Sequence, residues 1–165
     1  MILFSLTLFK KMIVPYLCFY KNIELDHKQV SLEHVVPKSF LKNVKGHKPA
    51  SNLHNLFIAD VRINRDRSNY YFCNDEVLNE LDVDTKKRIF CPPVRCRGTI
   101  ARVCMYMKDI YDCEVPLLEK DLDEWYTLPL SYEEVRHHEL CSFIQGNDNH
   151  HISKRMKKEK IYYLD

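Results

Sequence analysis

Apolar positions change their spacing part-way along this chain of 165 residues. Between residues 12 and 37, short apolar and β-branched runs are separated by polar turns, which predicts strands in place of one helix. The stretch "KSFLKNVKGHKPASN" (38–52) carries Lys, Gly, Pro, Ser and Asn at loop density, so it reads as a basic loop of about a dozen residues. After it, "LHNLFIAD" (53–60) predicts a short apolar strand, and the Arg-rich "VRINRDRSNYYF" (61–72) begins a short helix. From Arg97 the spacing becomes helical: Ile100, Ala101, Val103, Cys104, Met107, Ile110 and Tyr111 mark one stripe, with Arg102 and Lys108 among the polar positions. Pro92-Pro93 and Pro116 lie on either side of that helix. Ser131-Tyr132-Glu133-Glu134 is a capping box that opens a further helix, which should stop near Gly146 in "FIQGN". Strands first and helices after is the pattern of an α+β chain.

An apolar content of 45% with a single tryptophan suffices to bury one core, so one domain over 1–165 is expected. The net charge of +2 makes the overall field weak, and attraction to a polyanion would have to come from clustered Lys and Arg. Three glycines, at 46, 98 and 146, cannot build a Gly-rich phosphate loop or a dinucleotide fingerprint. Seven cysteines, an odd number with no Cys-x-x-Cys pair, read as reduced, buried thiols of an intracellular protein, not as a disulfide framework. Cys91 and Cys96 lack the usual spacing of a zinc knot. The apolar start "MILFSLTLFKKMIVPYLCFY" is interrupted by Lys10-Lys11 and has neither a charged leading region nor a small-residue cleavage site. It is expected to be a buried strand or helix, with an atypical signal or anchor as the alternative. The basic tail "SKRMKKEK" (153–160) reads as a solvated helix end before a nucleic-acid contact.

The chemistry concentrates at "SLEHVVPKSF" (31–40). A histidine with a free ring nitrogen is the natural general base near neutral pH, and the neighbouring carboxylate is a ligand for a hard divalent ion. Neighbours on a strand point opposite ways, but at a frayed strand end Glu33 and His34 could both reach one cavity. Asn55 and Asn64 are the downstream residues that could meet them. An asparagine oxygen is a neutral hard ligand, so Glu plus Asn leaves coordination positions for water and a phosphate, which suits Mg²⁺.

In order along the chain, "EHVVPKS", "NLHNLFIAD", "INRDRSN", "RGTIAR" (97–102), Trp125 and the run from Glu133 through Arg136 and Leu140 to "FIQGN" resemble the endonuclease I family of non-specific DNA and RNA nucleases. That family belongs to the ββα-metal, or His-Me finger, superfamily. The resemblance covers roughly residues 30 to 150. It implies a ββα-metal core over about 28–75, with short strands, and a helical part over about 97–148. It implies His34 as the general base that activates water, Glu33 and Asn64 as the ligands of one Mg²⁺ (Mn²⁺ or Ca²⁺ could replace it in binding), and Asn55 as the residue that ties down the histidine's loop. Asp66, Arg67 and Asn69 of "DRSN" are expected to orient Asn64. His54 is expected to be a hydrogen-bonded structural histidine. The implied substrates are DNA and possibly RNA, cut to 5′-phosphate and 3′-hydroxyl ends by a monomer. A site- or structure-specific HNH-type enzyme and an inactive nucleic-acid-binding protein on the same fold are the alternatives.

Two departures from the family pattern stand out. The basic loop lacks the family's phosphate-holding arginine and offers Lys42, Lys45, His47 and Lys48, none with the bidentate fork of Arg. Arg97 and Arg102 are further candidates for phosphate, with fold-holding salt bridges at least as well supported. At the other end, Asn149-His150-His151-Ile152 replaces the family's Asn-Pro-Phe step and is expected to be a solvated C-terminal turn, not a second metal site. Family habit is secretion or the periplasm, because a non-specific nuclease endangers its own cell. Set against the lack of a convincing signal peptide, that habit leaves three explanations: an inhibitor protein, a viral or mobile-element origin, or a truncated amino terminus.

Overall fold

The computed structural model describes residues 9, 11–12, 16–45 and 48–159. Most of the apolar N-terminal stretch, and with it the expectation of a buried strand or helix there, lies outside the described residues, as does His47.

The first two strands make a hairpin with a long connection. Strand β1 (Val30–His34) runs antiparallel to β2 (Leu56–Asp60), with Val30 opposite Asp60 and His34 opposite Leu56. The connection is a turn after Pro37 followed by two short 3₁₀ segments, Pro49–Ser51 and Leu53–Asn55. The expected strand over 53–60 therefore begins only at Leu56. Its first residues turn instead because the Asn52 side chain accepts from the His54 amide at 3.0 Å, the local bond by which Asn favours turns over strand.

Helix α1 (Val61–Arg67) leaves β2 without a loop. Asp60 is both the last strand residue and the helix cap, its carboxylate accepting from the Arg62 amide at 2.8 Å. The order β1, β2, α1 is thus a ββα unit. A small sheet follows, with β3 (Tyr71–Phe72) parallel to β5 (Ile89–Phe90) and β5 antiparallel to β4 (Val83–Asp84).

Four helices follow among the described residues: α2 (Val94–Tyr111), α3 (Glu119–Tyr126), α4 (Tyr132–Gln145) and α5 (His150–Glu159). The apolar stripe of α2 is buried as far as Met107, while Ile110 in the last turn is 52% exposed. Ile100, Val103, Cys104 and Met107 join Trp125 of α3, Phe57 and Ile58 of β2, and Phe72 and Phe90 of the small sheet in one core. Helix α4 starts and stops where its sequence says: Ser131 accepts from the Glu134 amide at 3.1 Å, and Gly146 closes the helix at φ +76°. A side chain would have open space at Gly146, so the left-handed backbone alone asks for glycine there. All seven cysteines are buried and unpaired. Among the described residues no helix is long and apolar enough to cross a membrane.

The position of Arg102 decides between the two roles expected of it, a phosphate contact and a fold-holding salt bridge. It occurs in the sequence as a polar interruption of the stripe, yet it is fully buried. Its Nε and Nη2 donate to the two carboxylate oxygens of Glu134 at 2.6 Å each, and Nη1 donates to the carbonyls of Tyr126 and Leu128. The bidentate pair joins α2 to α4 and holds the end of α3 between them. A Cβ at Gly98 would lie 2.6 Å from Nη2 of Arg102, so the glycine of "RGTIAR" clears the space that the guanidinium fills. Arg102 is therefore a structural cation and not a phosphate contact.

Breaking a buried pair leaves one charge uncompensated, which costs far more than the pair's net worth. Glu134→Ala is expected to lower stability by about 3–5 kcal/mol, read as a lower midpoint in urea unfolding with an unchanged m value.

Candidate active site

The hairpin and α1 enclose a cleft of about 790 Å³ lined by His34, Lys38, Ser39, Asn64, Arg67 and Asn69, with apolar walls that include Leu32 and Leu56. Strand alternation decides what enters it. Leu32 and His34 face the cleft, while Glu33 between them does not line it.

His34 is held by its far nitrogen. Nε2 lies 2.9 Å from the carbonyl of Ala50, an acceptor, so Nε2 carries the proton and Nδ1 keeps its lone pair. Burial lowers the pKa of this imidazole, against the opposing pull of the Ala50 carbonyl, and the Lys38 charge lowers it further. The ring is thus a neutral base at pH 7. The backbone that presents it is pinned by Asn55. The Asn55 amide oxygen accepts from the Val36 amide at 2.7 Å, its Nδ2 donates to the Val36 carbonyl at 2.9 Å, and its own carbonyl accepts from Val35. A fully buried side chain here replaces the ladder bonds that β1 loses where it leaves the sheet.

Asn64 projects from α1 toward β1. Its Nδ2 donates to the Ser31 hydroxyl at 2.9 Å and the Leu32 carbonyl at 3.1 Å, which fixes the amide and leaves Oδ1 without a hydrogen bond among the described residues. Glu33 is fully buried: Oε1 accepts from Nη1 of Arg67 at 2.7 Å, and Oε2 has no hydrogen-bond partner. The Tyr20 hydroxyl approaches this carboxyl without reaching hydrogen-bond geometry. Burial pushes the Glu33 carboxyl up to about 7, with the Arg67 guanidinium pulling the other way.

The expectation that a frayed strand end sends Glu33 and His34 into one open cavity is corrected, because β1 is regular through His34 and separates them. The donor set still suits a hard divalent cation. Among the described residues Oε2 of Glu33 and Oδ1 of Asn64 have no hydrogen-bond partner; both are oxygen ligands of the kind that Mg²⁺ takes, and of the two only Asn64 lines the cleft.

The chain is similar to known proteins over most of its length. The profile of the family described as Endonuclease I matches residues 20–156. This chain belongs to that family. Its relatives include Endonuclease-1 of Buchnera aphidicola subsp. Acyrthosiphon pisum (strain APS), 31% identical over 87% of this chain and 68% of that protein. A periplasmic deoxyribonuclease of Aeromonas hydrophila is 28% identical over 77% of this chain and 64% of that protein. An extracellular deoxyribonuclease of Aeromonas hydrophila is 28% identical, with 77% and 66% covered. The chain spans about two thirds of the length of these relatives.

Within the endonuclease I framework the other expected site residues divide into three groups. Arg67 is 1% exposed and does not bond Asn64. Its Nη1 donates to Glu33 and the His34 carbonyl, its Nη2 donates to the Val35 carbonyl at 2.7 Å, and its guanidinium stacks 4.2 Å from the Phe72 ring centroid. Asp66 is on the solvent side of α1, paired with Arg65, and cannot orient Asn64. Asn69 lies at the cleft wall, donating to Ser39 and accepting from Arg88, so it ties loop to sheet and does not touch Asn64.

Lys45 and Lys48 are exposed and outside the cleft lining, and Arg97 is engaged with Asn74, the Pro92 carbonyl and the face of Trp125. The lysine that does line the cleft is Lys38, which the sequence reading passed over. The signal was present: Pro37 turns the chain right after "HVV" and keeps the next residue close to His34.

His54 is structural as expected. It is 1% exposed, its ring bonds the Asn147 carbonyl at 3.2 Å, and it lies 5.6 Å from the ring of His138. Burial lowers its pKa to about 4 and that of His137, which donates to the Leu56 carbonyl at 2.7 Å, to about 3. Both rings are therefore neutral in the folded chain at pH 5, whereas in the unfolded chain they take up protons below about 6.5. Their contribution to stability is complete above about pH 6.5 and is lost as pH falls toward 4, at up to about 1.4 kcal/mol per pH unit for each ring. Glu33 works in the opposite direction across its raised value, so the histidine contribution is read as a difference. Urea unfolding of wild type and His54→Gln from pH 7 to 4 is expected to give the shallower loss of stability in the variant.

Proposed function

We propose that this chain is a divalent-metal-dependent, sequence-nonspecific endonuclease that hydrolyses DNA, and RNA by the same chemistry, to 5′-phosphate and 3′-hydroxyl ends. One observation carries the reading: His34, with Nε2 committed to the Ala50 carbonyl so that Nδ1 is the basic nitrogen, lines the same cleft as Asn64.

His34 Nδ1 takes the proton from a water aimed at the scissile phosphorus, and the Ala50 carbonyl steadies the imidazolium that results. Oδ1 of Asn64, which lines the cleft, is the atom that would hold the ion, taken as Mg²⁺, and Glu33 would join it only by turning from its buried pair with Arg67. Bound there, the ion supplies positive charge to the phosphate and to the leaving 3′ oxygen. Arg67 neutralises the buried Glu33 and keeps the His34 carbonyl occupied, so the strand cannot swing the base out of line. Lys38, Ser39 and Asn69 contact the phosphate backbone at the cleft wall, and contacts of that kind position a strand without reading its bases. The periplasmic and extracellular deoxyribonucleases among the relatives support a secreted or periplasmic place of action over the intracellular one inferred from the thiols.

Supercoiled plasmid and RNA incubated with the purified chain in Mg²⁺ are expected to be nicked and then reduced to a smear, with no cleavage in chelator. His34→Ala and Asn64→Ala should each lose about 10²–10⁴ in rate, and Lys38→Ala about tenfold, with folding intact by circular dichroism. Full activity in His34→Ala would overturn the mechanism, and discrete bands in place of a smear would mean site-specific cutting.

A further inference from the structure

His150 and His151 were expected to form a solvated turn, yet they open helix α5 and fold back on the last part of α2. Nε2 of His150 lies 3.0 Å, and Nε2 of His151 2.9 Å, from the same oxygen of Asp109. The two rings are 4.2 Å apart. Two imidazole nitrogens and one carboxylate oxygen all lie within 4.8 Å of one another. None of the three residues lines the cleft.

We propose that Asp109, His150 and His151 bind one transition-metal ion, with Zn²⁺ as the best match, at a site separate from the cleft. Ligand atoms at bond lengths of roughly 2.0–2.2 Å in a tetrahedral site stand roughly 3.4 Å apart. The observed separations of 3.0 and 2.9 Å fall a few tenths short of that, so a small outward shift of the Asp109 carboxylate admits the ion. A donor set of two nitrogens and one oxygen is borderline in softness, which favours Zn²⁺, Co²⁺ or Ni²⁺ over Mg²⁺.

The second ring nitrogen of His151 supplies an independent support. Nδ1 is 2.8 Å from the Tyr126 hydroxyl, and the tyrosine ring meets the imidazole edge-on. A hydrogen bond to the nitrogen not used for the metal is what orients a ligating histidine. His150 and Asp109 are each about one third or more exposed, so the remaining coordination position opens to water. The ion would fasten the end of α2 to the start of α5. One turn before Asp109, Tyr106 receives hydrogen bonds from Asn52 and Asn147, so the fastening bears on the segment that leads into β2.

The test begins with chelator-treated, reduced protein titrated with Zn²⁺. One saturable site per chain is expected, and a hundredfold excess over Kd should raise Tm by about 5–10 °C. His150→Ala and Asp109→Asn should each weaken binding by about 100-fold or more. His34→Ala, which removes the imidazole of the cleft, should leave this Kd unchanged. In the wild-type chain, ¹⁵N spectra should show Zn²⁺ moving the Nε2 resonances of both His150 and His151, a readout that does not depend on any variant folding. Unmoved resonances at these two residues, or binding lost in His34→Ala and kept in His150→Ala, would overturn the site.

Discussion

The site depends on one buried guanidinium. Arg67, at the end of α1, sits beneath β1 and spends its donors on Glu33 and on the carbonyls of His34 and Val35, with Phe72 against its face. An arginine with 1% exposure is tolerable only where its charge and most of its N–H groups are matched. Meeting that demand fixes the spacing between helix and strand. Asn64, one turn earlier on α1, is thereby brought to Ser31 and Leu32, and His34 is left facing the space between.

A second layer of buried polar groups supports the first from the helical half. The Arg102–Glu134 pair ties α2 to α4, while Tyr106 gathers Asn52 and Asn147. Gln145 at the end of α4 reaches the Leu53 amide and Asn52. These contacts hold the 3₁₀ segment that carries Asn55, and Asn55 in turn holds Val35 and Val36 immediately after the histidine. The helices thus serve the cleft without lining it, since buried networks are rigid only when their members are satisfied.

Much of the architecture was legible in the residues. The α2 stripe, the Ser131 cap and the Gly146 stop are local signals, and local physics honours them. The ββα order and membership of the endonuclease I family also follow from motifs in sequence. Misread residues share a cause. Sequence leaves Arg102 between phosphate and a fold-holding salt bridge and assigns Arg67 to Asn64, because it displays charge but not the partner, and the partners lie 32 and 34 residues away. Lys38 was overlooked in favour of lysines in the loop's middle, since loop composition says nothing about which side of a turn faces a cleft.

By itself the sequence determined the α+β order, the helices marked by a stripe or a cap, and which residues are chemically able to act as base or ligand, because propensity, capping and side-chain type are short-range properties. Only the tertiary structure decided which nitrogen of His34 stays free, that Glu33 is turned inward on Arg67, and that Asp109 meets two histidines 41 and 42 residues later. Those outcomes depend on which polar group is left over after packing has satisfied the rest, and that balance exists only when distant segments are in contact.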